Sequence, residues 1–144
     1  MARAAQLRPF GREIVSYERE GIAMDRNDSS QRLDVEKLGA QLRQCWSRES
    51  SRQWLPDTPA RGQCNVTALV IHDHLGGEIL KTPVGDQWHF YNRIDGQVYD
   101  LTAEQFSILP KYLDLPSNRS EALAGTTAKR YEALSQRFRQ VVER

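Results

Sequence analysis

Apolar residues follow helical spacing in the first clearly patterned segment of the chain. From Leu33 onward they occupy the positions of one buried helix face: Val35, Leu38, Leu42 and Cys45. The preceding polar residues can cap the start of this helix: Asp28, Ser29 or Ser30. The pattern predicts a first helix that reaches Cys45 and buries that cysteine.

A second helix is predicted over residues 64–75. The sequence CNVTALVIHDHL is apolar on most sides, as expected for a helix at the centre of a domain. A polar loop with two prolines precedes it, SRESSRQWLPDTPARG, and Gly76-Gly77 follows it. The pattern thus places Cys64 at the start of a buried helix.

Three short strands are predicted after this helix, because their residues are rich in β-branched and aromatic side chains. They are EILKTPV (78–84), QWHFYNRI (87–94) and QVYDLT (97–102). Asp95-Gly96, between the last two, is typical of a two-residue hairpin turn. Such a turn makes Ile94 face Gln97 and joins the two strands as an antiparallel pair.

A last helix is predicted from about Thr127. Behind the breaker Gly125, apolar residues again recur at helical spacing: Tyr131, Leu134, Phe138 and Val141. Residues 115–125 show neither a helical nor a strand period and are predicted as a loop.

Together these elements predict an α+β fold, in which a central helix packs on an antiparallel sheet of three or more strands, with flanking helices. Residues 32–144 are predicted as this single domain. Residues 1–31 mix arginine with acidic residues and show weak periodicity, so they are predicted as a flexible or loosely docked extension. Met24, inside that segment, is an alternative start of translation.

The charge balance excludes some classes of partner. The chain has 20 Lys and Arg against 19 Asp and Glu, so no overall field attracts nucleic acid or an anionic membrane. No apolar run reaches the roughly 18 residues that span a bilayer, and the start lacks the apolar core of a secretory signal. We therefore expect a cytoplasmic protein in which Cys45 and Cys64 stay free thiols.

Cys64 has the position expected of a nucleophile. Unpaired N–H groups and the helix dipole at a helix start stabilise a thiolate, and one such N–H can act as an oxyanion donor. Gly62, just before it, lets a substrate backbone approach closely. We expect Gln63 and Trp88 to contact the substrate, with Trp88 shielding the site from water.

The hairpin brings a base and an acid together. With a turn at Asp95-Gly96, His89 and Asp100 lie on one face of the strand pair as diagonal neighbours about 7 Å apart. An imidazole and a carboxylate can close that distance with a hydrogen bond. The opposite face is apolar and can pack into the core: Phe90, Ile94 and Leu101.

These three residues predict thiol-dependent acyl chemistry. His89 takes the thiol proton, the Cys64 thiolate attacks an acyl or amide carbon, and Asp100 orients the imidazole. The expected partner is an amide in a protein, a peptide or a small metabolite. Hydrolysis, deamidation and amide transfer all remain open, and no cofactor is expected.

The segments that carry the trio resemble known families. GQCNVTALV followed by HFYN and YDLT is similar to the transglutaminase-like branch of papain-fold enzymes, where a Gly-Gln-Cys helix start precedes a histidine strand and an aspartate strand. Longer motifs resemble the YunG family of small bacterial proteins: GQCNVTALVIHDHLGGEIL, HFYNRIDGQVYDLT, EQF and TAKRYEALSQR. This resemblance covers about residues 45–141 and brings no established substrate.

For the site, the resemblance implies Cys64, His89 and Asp100 on a papain-like or transglutaminase-like fold. Transglutaminases use a tryptophan as an oxyanion donor, and the candidates for that role in this chain are Trp46 and Trp54.

Two other functions fit the sequence. A non-catalytic module could use the same cleft to bind a peptide or a small metabolite. A small metal-dependent hydrolase would use His72, His74 or His89. Against this alternative, His72 and His74 point in different directions on a helix, and the chain has no Cys-x-x-Cys or His-x-x-x-His spacing. No metal site is predicted.

Overall fold

A computed structural model describes residues 8–10, 14–18 and 28–143. Its helices are α1 (Asp28–Cys45), α2 (Cys64–Leu75), α3 (Arg119–Ala124) and α4 (Ala128–Val142). Its strands are β1 (Arg8–Phe10), β2 (Ile14–Glu18), β3 (Glu78–Val84), β4 (Gln87–Ile94), β5 (Gln97–Asp100) and β6 (Leu115–Pro116). Within these ranges no helix combines the length and the apolar character needed to cross a membrane.

The six strands form one antiparallel sheet in the order β1-β2-β5-β4-β3-β6. Helix α2 packs on one face of this sheet, where Asn92 Nδ2 donates to the Ala68 carbonyl at 3.1 Å. Helix α1 and helix α4 complete that layer, with Leu42 and Phe138 in the core between them and α2. The predicted α+β arrangement of a central helix, an antiparallel sheet and flanking helices is confirmed.

The predicted hairpin is confirmed in both turn and register. Asp95 and Gly96 adopt φ angles of 49° and 82°, as a tight two-residue turn requires. Ile94 faces Gln97 as predicted. Strand β5 ends at Asp100 rather than at Thr102, because Thr102 begins a short 3₁₀ turn over Ala103–Gln105.

The sequence predicts residues 1–31 as a flexible or loosely docked extension, but the parts of this segment that the structure describes include two strands of the sheet. Residues 14–18 pair with β5, and residues 8–10 pair with residues 14–18. Val15 and Tyr17 are buried, so this segment contributes to the core. The strands are too short to show a clear alternation in the sequence, and their partner β5 lies far along the chain. Met24 lies outside the described residues.

The prediction of a loop over residues 115–125 is wrong, because this segment contains β6 and α3. Asn118 caps α3 by accepting a hydrogen bond from the Glu121 backbone N–H at 2.8 Å. Ala122 is fully buried against α2 and the sheet. A six-residue helix is too short to reveal a helical period. The predicted last helix is confirmed as α4, which Thr127 caps.

Candidate active site

Cys64 is the first residue of α2, as predicted, and its thiol is partly exposed in a cleft. The chain reaches it through Gly62, whose φ of 74° favours glycine. A Cβ at Gly62 would lie 2.3 Å from Ser51 Oγ, so a larger residue would displace the loop. The glycine thus allows the loop of residues 51–53 to pack directly beside the helix start.

His89 and Asp100 form the predicted pair. His89 Nε2 lies 2.7 Å from Asp100 Oδ2, and the two residues are only 3% and 1% exposed. Because a carboxylate only accepts hydrogen bonds, Nε2 carries the proton in this pair. His89 lines the same cleft as Cys64, so the three predicted residues come together at one site.

The carboxylate of Asp100 is held by further donors. Its Oδ1 accepts from the backbone N–H and the hydroxyl of Thr102, at 3.2 and 3.3 Å, and its Oδ2 accepts from the Tyr112 hydroxyl at 2.6 Å. Phe106 packs edge-on against the His89 ring, with ring centroids 4.7 Å apart. Sequence reasoning missed Tyr112 and Phe106, because both lie in a stretch without periodicity whose position depends on the tertiary fold.

Four further hydrogen bonds fix Tyr112 in place by holding the segment around it. Thr82 Oγ1 donates to the Lys111 carbonyl at 2.6 Å and accepts from the Leu113 N–H at 3.0 Å. Asp114 accepts hydrogen bonds from the hydroxyls of Tyr17 and Tyr91. Burial, followed by interactions with Asp114, raises the pKa of both tyrosines, so they stay neutral donors. This segment therefore covers the His89–Asp100 pair on the sheet face opposite α2.

Opposing effects act on the charge of His89. Burial by itself lowers the pKa of the imidazole, but the charge of Asp100 and the hydrogen bond to it, together with Cys64, raise that pKa from 6.5 to about 10. The imidazolium is therefore the favoured form of His89 at neutral pH. A cation beside a cysteine stabilises a thiolate.

We expect NMR titration of His89 to show protonation well above pH 7. Because the folded pKa exceeds the unfolded value of 6.5, the pair stabilises the protein fully below pH 6.5 and loses that contribution as the pH rises toward 10. Relative to His89→Gln, the free energy of unfolding should thus fall by more than about 1.4 kcal/mol over that window. In Asp100→Asn the same titration should move below pH 6.5, since burial remains while the anion is gone. A wild-type His89 that titrates near 6.5 would contradict this assignment.

The cleft beside the trio has a volume of about 940 Å³. Trp88 lines it with 46% of its surface exposed, and the Lys81 ammonium lies 4.2 Å from the centre of its ring. Trp88 is thus exposed in the cleft, and its contact with a substrate stays a prediction.

The substrate contact predicted for Gln63 needs correction. Its side chain is fully buried, its amide donates to the Ser47 carbonyl at 3.3 Å, and it does not line the cleft. Gln63 therefore supports the loop before α2. Successive side chains at a helix start point in different directions, so Gln63 turns inward while Cys64 faces the cleft.

Neither candidate tryptophan is placed to donate to an oxyanion. Trp46 is buried and its Nε1 donates to Thr67 Oγ1 at 2.9 Å. Trp54 packs against the main core, and its buried Nε1 does not face the cleft.

Other donors lie at the helix start. The Cys64 backbone N–H makes no hydrogen bond to any described residue. Gln53 is exposed, lines the cleft and packs against Gly62, where an added Cβ would lie 3.4 Å from Gln53 Cδ. Sequence reasoning missed Gln53, because nothing in a proline-containing loop predicts which of its residues returns to the helix start.

The histidines considered for metal binding have separate partners. His72 Nδ1 lies 3.0 Å from Arg119, the His74 ring packs edge-on against Phe138, and His89 bonds to Asp100. Across the described ranges no group of three or more His, Cys, Asp or Glu side chains could hold a metal ion. Cys45 is buried, as predicted, with its thiol bonded to the Gln41 carbonyl at 3.2 Å.

Comparison with known proteins places the chain in a family. The family described as YunG protein matches residues 34–143, which include all of the site. The uncharacterised protein YunG of Bacillus subtilis is 52% identical over 97 residues, which is 67% of this chain and 84% of that protein. No solved structure matches the chain. The match over most of its length shows that the chain belongs to the YunG family.

Proposed function

We propose that this protein is a cysteine-dependent enzyme that transfers the acyl group of an amide through a thioester on Cys64. The observation that carries this proposal is the buried His89–Asp100 pair, which opens onto the same cleft as a cysteine at a helix start. Water or an amine accepts the acyl group, so the reaction is a hydrolysis, a deamidation or an amide transfer.

The proposed reaction has two halves. In the first, the Cys64 thiolate, whose proton is already held on the His89 imidazolium, forms a bond to the amide carbonyl carbon, and the C–N bond breaks as His89 gives that proton to the leaving amine. In the second, water or an amine gives a proton to His89 and attacks the thioester. The C–S bond then breaks, and Cys64 leaves as a thiolate beside the His89 imidazolium. Asp100 holds the imidazole and stabilises its cationic form throughout.

Two donors support the tetrahedral intermediates of this mechanism. The backbone N–H of Cys64 makes no hydrogen bond within the described part of the chain, and it belongs to the same residue as the reacting sulfur. The Gln53 side chain shares the cleft and can supply a second N–H. Preorganised donors of this kind typically contribute about 10²–10³ in rate each.

The element order supports a papain-like or transglutaminase-like fold. A central helix begins with the cysteine, and the histidine and aspartate follow on adjacent strands of an antiparallel sheet. We also propose a cytoplasmic protein, because Cys45 and Cys64 are not joined in a disulfide, as is usual in a reducing compartment.

The test is acylation by an activated ester. We expect p-nitrophenyl acetate to give a burst of one p-nitrophenolate per protein, with the acetyl group found on Cys64 by peptide mass spectrometry. A protein that binds ligands in the cleft but shows no burst would instead be a non-catalytic binding module.

Thiol reactivity gives an independent prediction, with Cys45 as the internal control. At pH 6, iodoacetamide should modify Cys64 at least about tenfold faster than an ordinary thiol, because the His89 imidazolium and the helix start stabilise the thiolate. Cys45 should stay unmodified until the protein unfolds, since it is 1% exposed. His89→Ala should slow the labelling of Cys64. Equal rates in wild type and His89→Ala would remove the basis for pairing these two residues.

A further inference from the structure

The charged side chains that line the cleft differ in whether a hydrogen-bond or ion-pair partner neutralises their charge. Besides His89 they are Arg52, Glu121 and Arg130. Glu121 is satisfied, since its two oxygens accept from Lys81 Nζ at 2.5 Å and from Ser117 Oγ at 2.6 Å. Lys81 and Ser117 lower the pKa of this carboxyl, so it stays an anion whose charge is already paired.

Neither arginine has such a partner among the described residues. No described residue makes a hydrogen bond or an ion pair with the guanidinium group of Arg52 or Arg130. They come from different parts of the fold, Arg52 from the loop before α2 and Arg130 from the first turns of α4. The cleft therefore holds, on two of its walls, two cations that no described residue compensates.

Arg52 directly precedes Gln53, the proposed oxyanion donor, and both line the cleft that Cys64 lines. A guanidinium group binds carboxylate or phosphate through two parallel N–H donors, and a cleft lined by one sign of charge concentrates ligands of the opposite sign. An uncharged or cationic substrate would leave both guanidinium groups without an anionic partner in the described part of the chain.

We propose that the substrate carries an anionic group, a carboxylate or a phosphate, which Arg52 and Arg130 bind while its amide reacts at Cys64. This inference rests on the proposed function for the reaction itself, but the recognition of the anion can be tested separately from the chemistry.

The first test compares two alkylating reagents that differ in charge. The measured quantity is the rate of Cys64 alkylation by anionic iodoacetate divided by the rate with neutral iodoacetamide, at low ionic strength. This ratio should be about tenfold lower in Arg52→Gln/Arg130→Gln than in the wild type. The matched control is Arg61→Gln/Arg139→Gln, which removes the same net charge from exposed positions outside the cleft. The control should keep the wild-type ratio, and added salt should lower that ratio. Equal ratios in the wild type and the cleft variant would overturn the proposal.

The second test does not depend on a reactive thiol. In Cys64→Ser protein, calorimetry should show that N-acetylglutamate α-amide, which has one carboxylate, or N-acetyl-O-phosphoserine amide, which has one phosphate, binds at least about tenfold more tightly than neutral N-acetylglutamine amide. The preference between the two anions identifies the group, and both should lose affinity when Arg52 and Arg130 are replaced. If no anion binds better than the neutral amide, the proposed substrate class is wrong even if Cys64 is reactive. Tight anion binding with an unreactive Cys64 would instead overturn the enzymatic function alone.

Discussion

Cys64→Ser should lower the rate of acylation by an activated ester by at least about 10⁴-fold, because a serine hydroxyl beside the same base is a much weaker nucleophile than a thiolate. The fold should survive. The thiol is partly exposed, and its hydrogen bond to Asn65 Oδ1, at 3.3 Å, is one that a hydroxyl can also make. Urea unfolding should therefore show a change within about 1 kcal/mol.

The matched control is Cys45→Ser. This change places a hydroxyl in the core and should cost about 1–3 kcal/mol of stability, although the bond to the Gln41 carbonyl can be kept. It should leave the acylation rate unchanged, since Cys45 does not line the cleft. A Cys64→Ser protein that still acylates at a near wild-type rate would exclude Cys64 as the nucleophile.

Asp100→Asn should also reduce the acylation rate by about 10⁴-fold, because an amide cannot hold His89 in the required tautomer or stabilise its cation. Asp100 accepts four hydrogen bonds: two from Thr102 at Oδ1, and one each from His89 and Tyr112 at Oδ2. The NH₂ group of an asparagine would replace one of these oxygens and would face donors in either orientation. We expect this conflict to cost about 1–3 kcal/mol of unfolding free energy. That cost is much smaller than the loss of rate, which corresponds to about 5.5 kcal/mol.

Asp114→Asn is the matched control on the same sheet face. Both tyrosine hydroxyls bond to a single oxygen of Asp114, Oδ1, which an asparagine retains. Its carboxyl makes no contact with His89, so the acylation rate should change little. In a Cys64→Ser background, Asp100→Asn should remove almost no further activity, because residues that act as one unit fail together. If Asp100→Asn and Asp114→Asn lowered the rate equally, the loss would reflect a general disturbance of this sheet face.

The sequence alone determined the local geometry of the site. A two-residue turn at Asp95-Gly96 permits one register, and the alternation of side chains along paired strands then places His89 and Asp100 on one face. The start of α2 was equally predictable, because the loop composition ends where the apolar helix begins. Both results depend on interactions between residues that are close in the chain.

Only the tertiary structure decided what surrounds the trio. Tyr112 reaches Asp100 from a segment without periodicity, Gln53 reaches the start of α2 from a loop, and β2 pairs with β5 from near the N-terminus. It also decided that Gln63 turns inward and that Arg52 and Arg130 share a cleft. These arrangements join segments that are distant in the chain. Their free energy comes from burial and hydrogen bonding between those segments, for which local spacing carries no information.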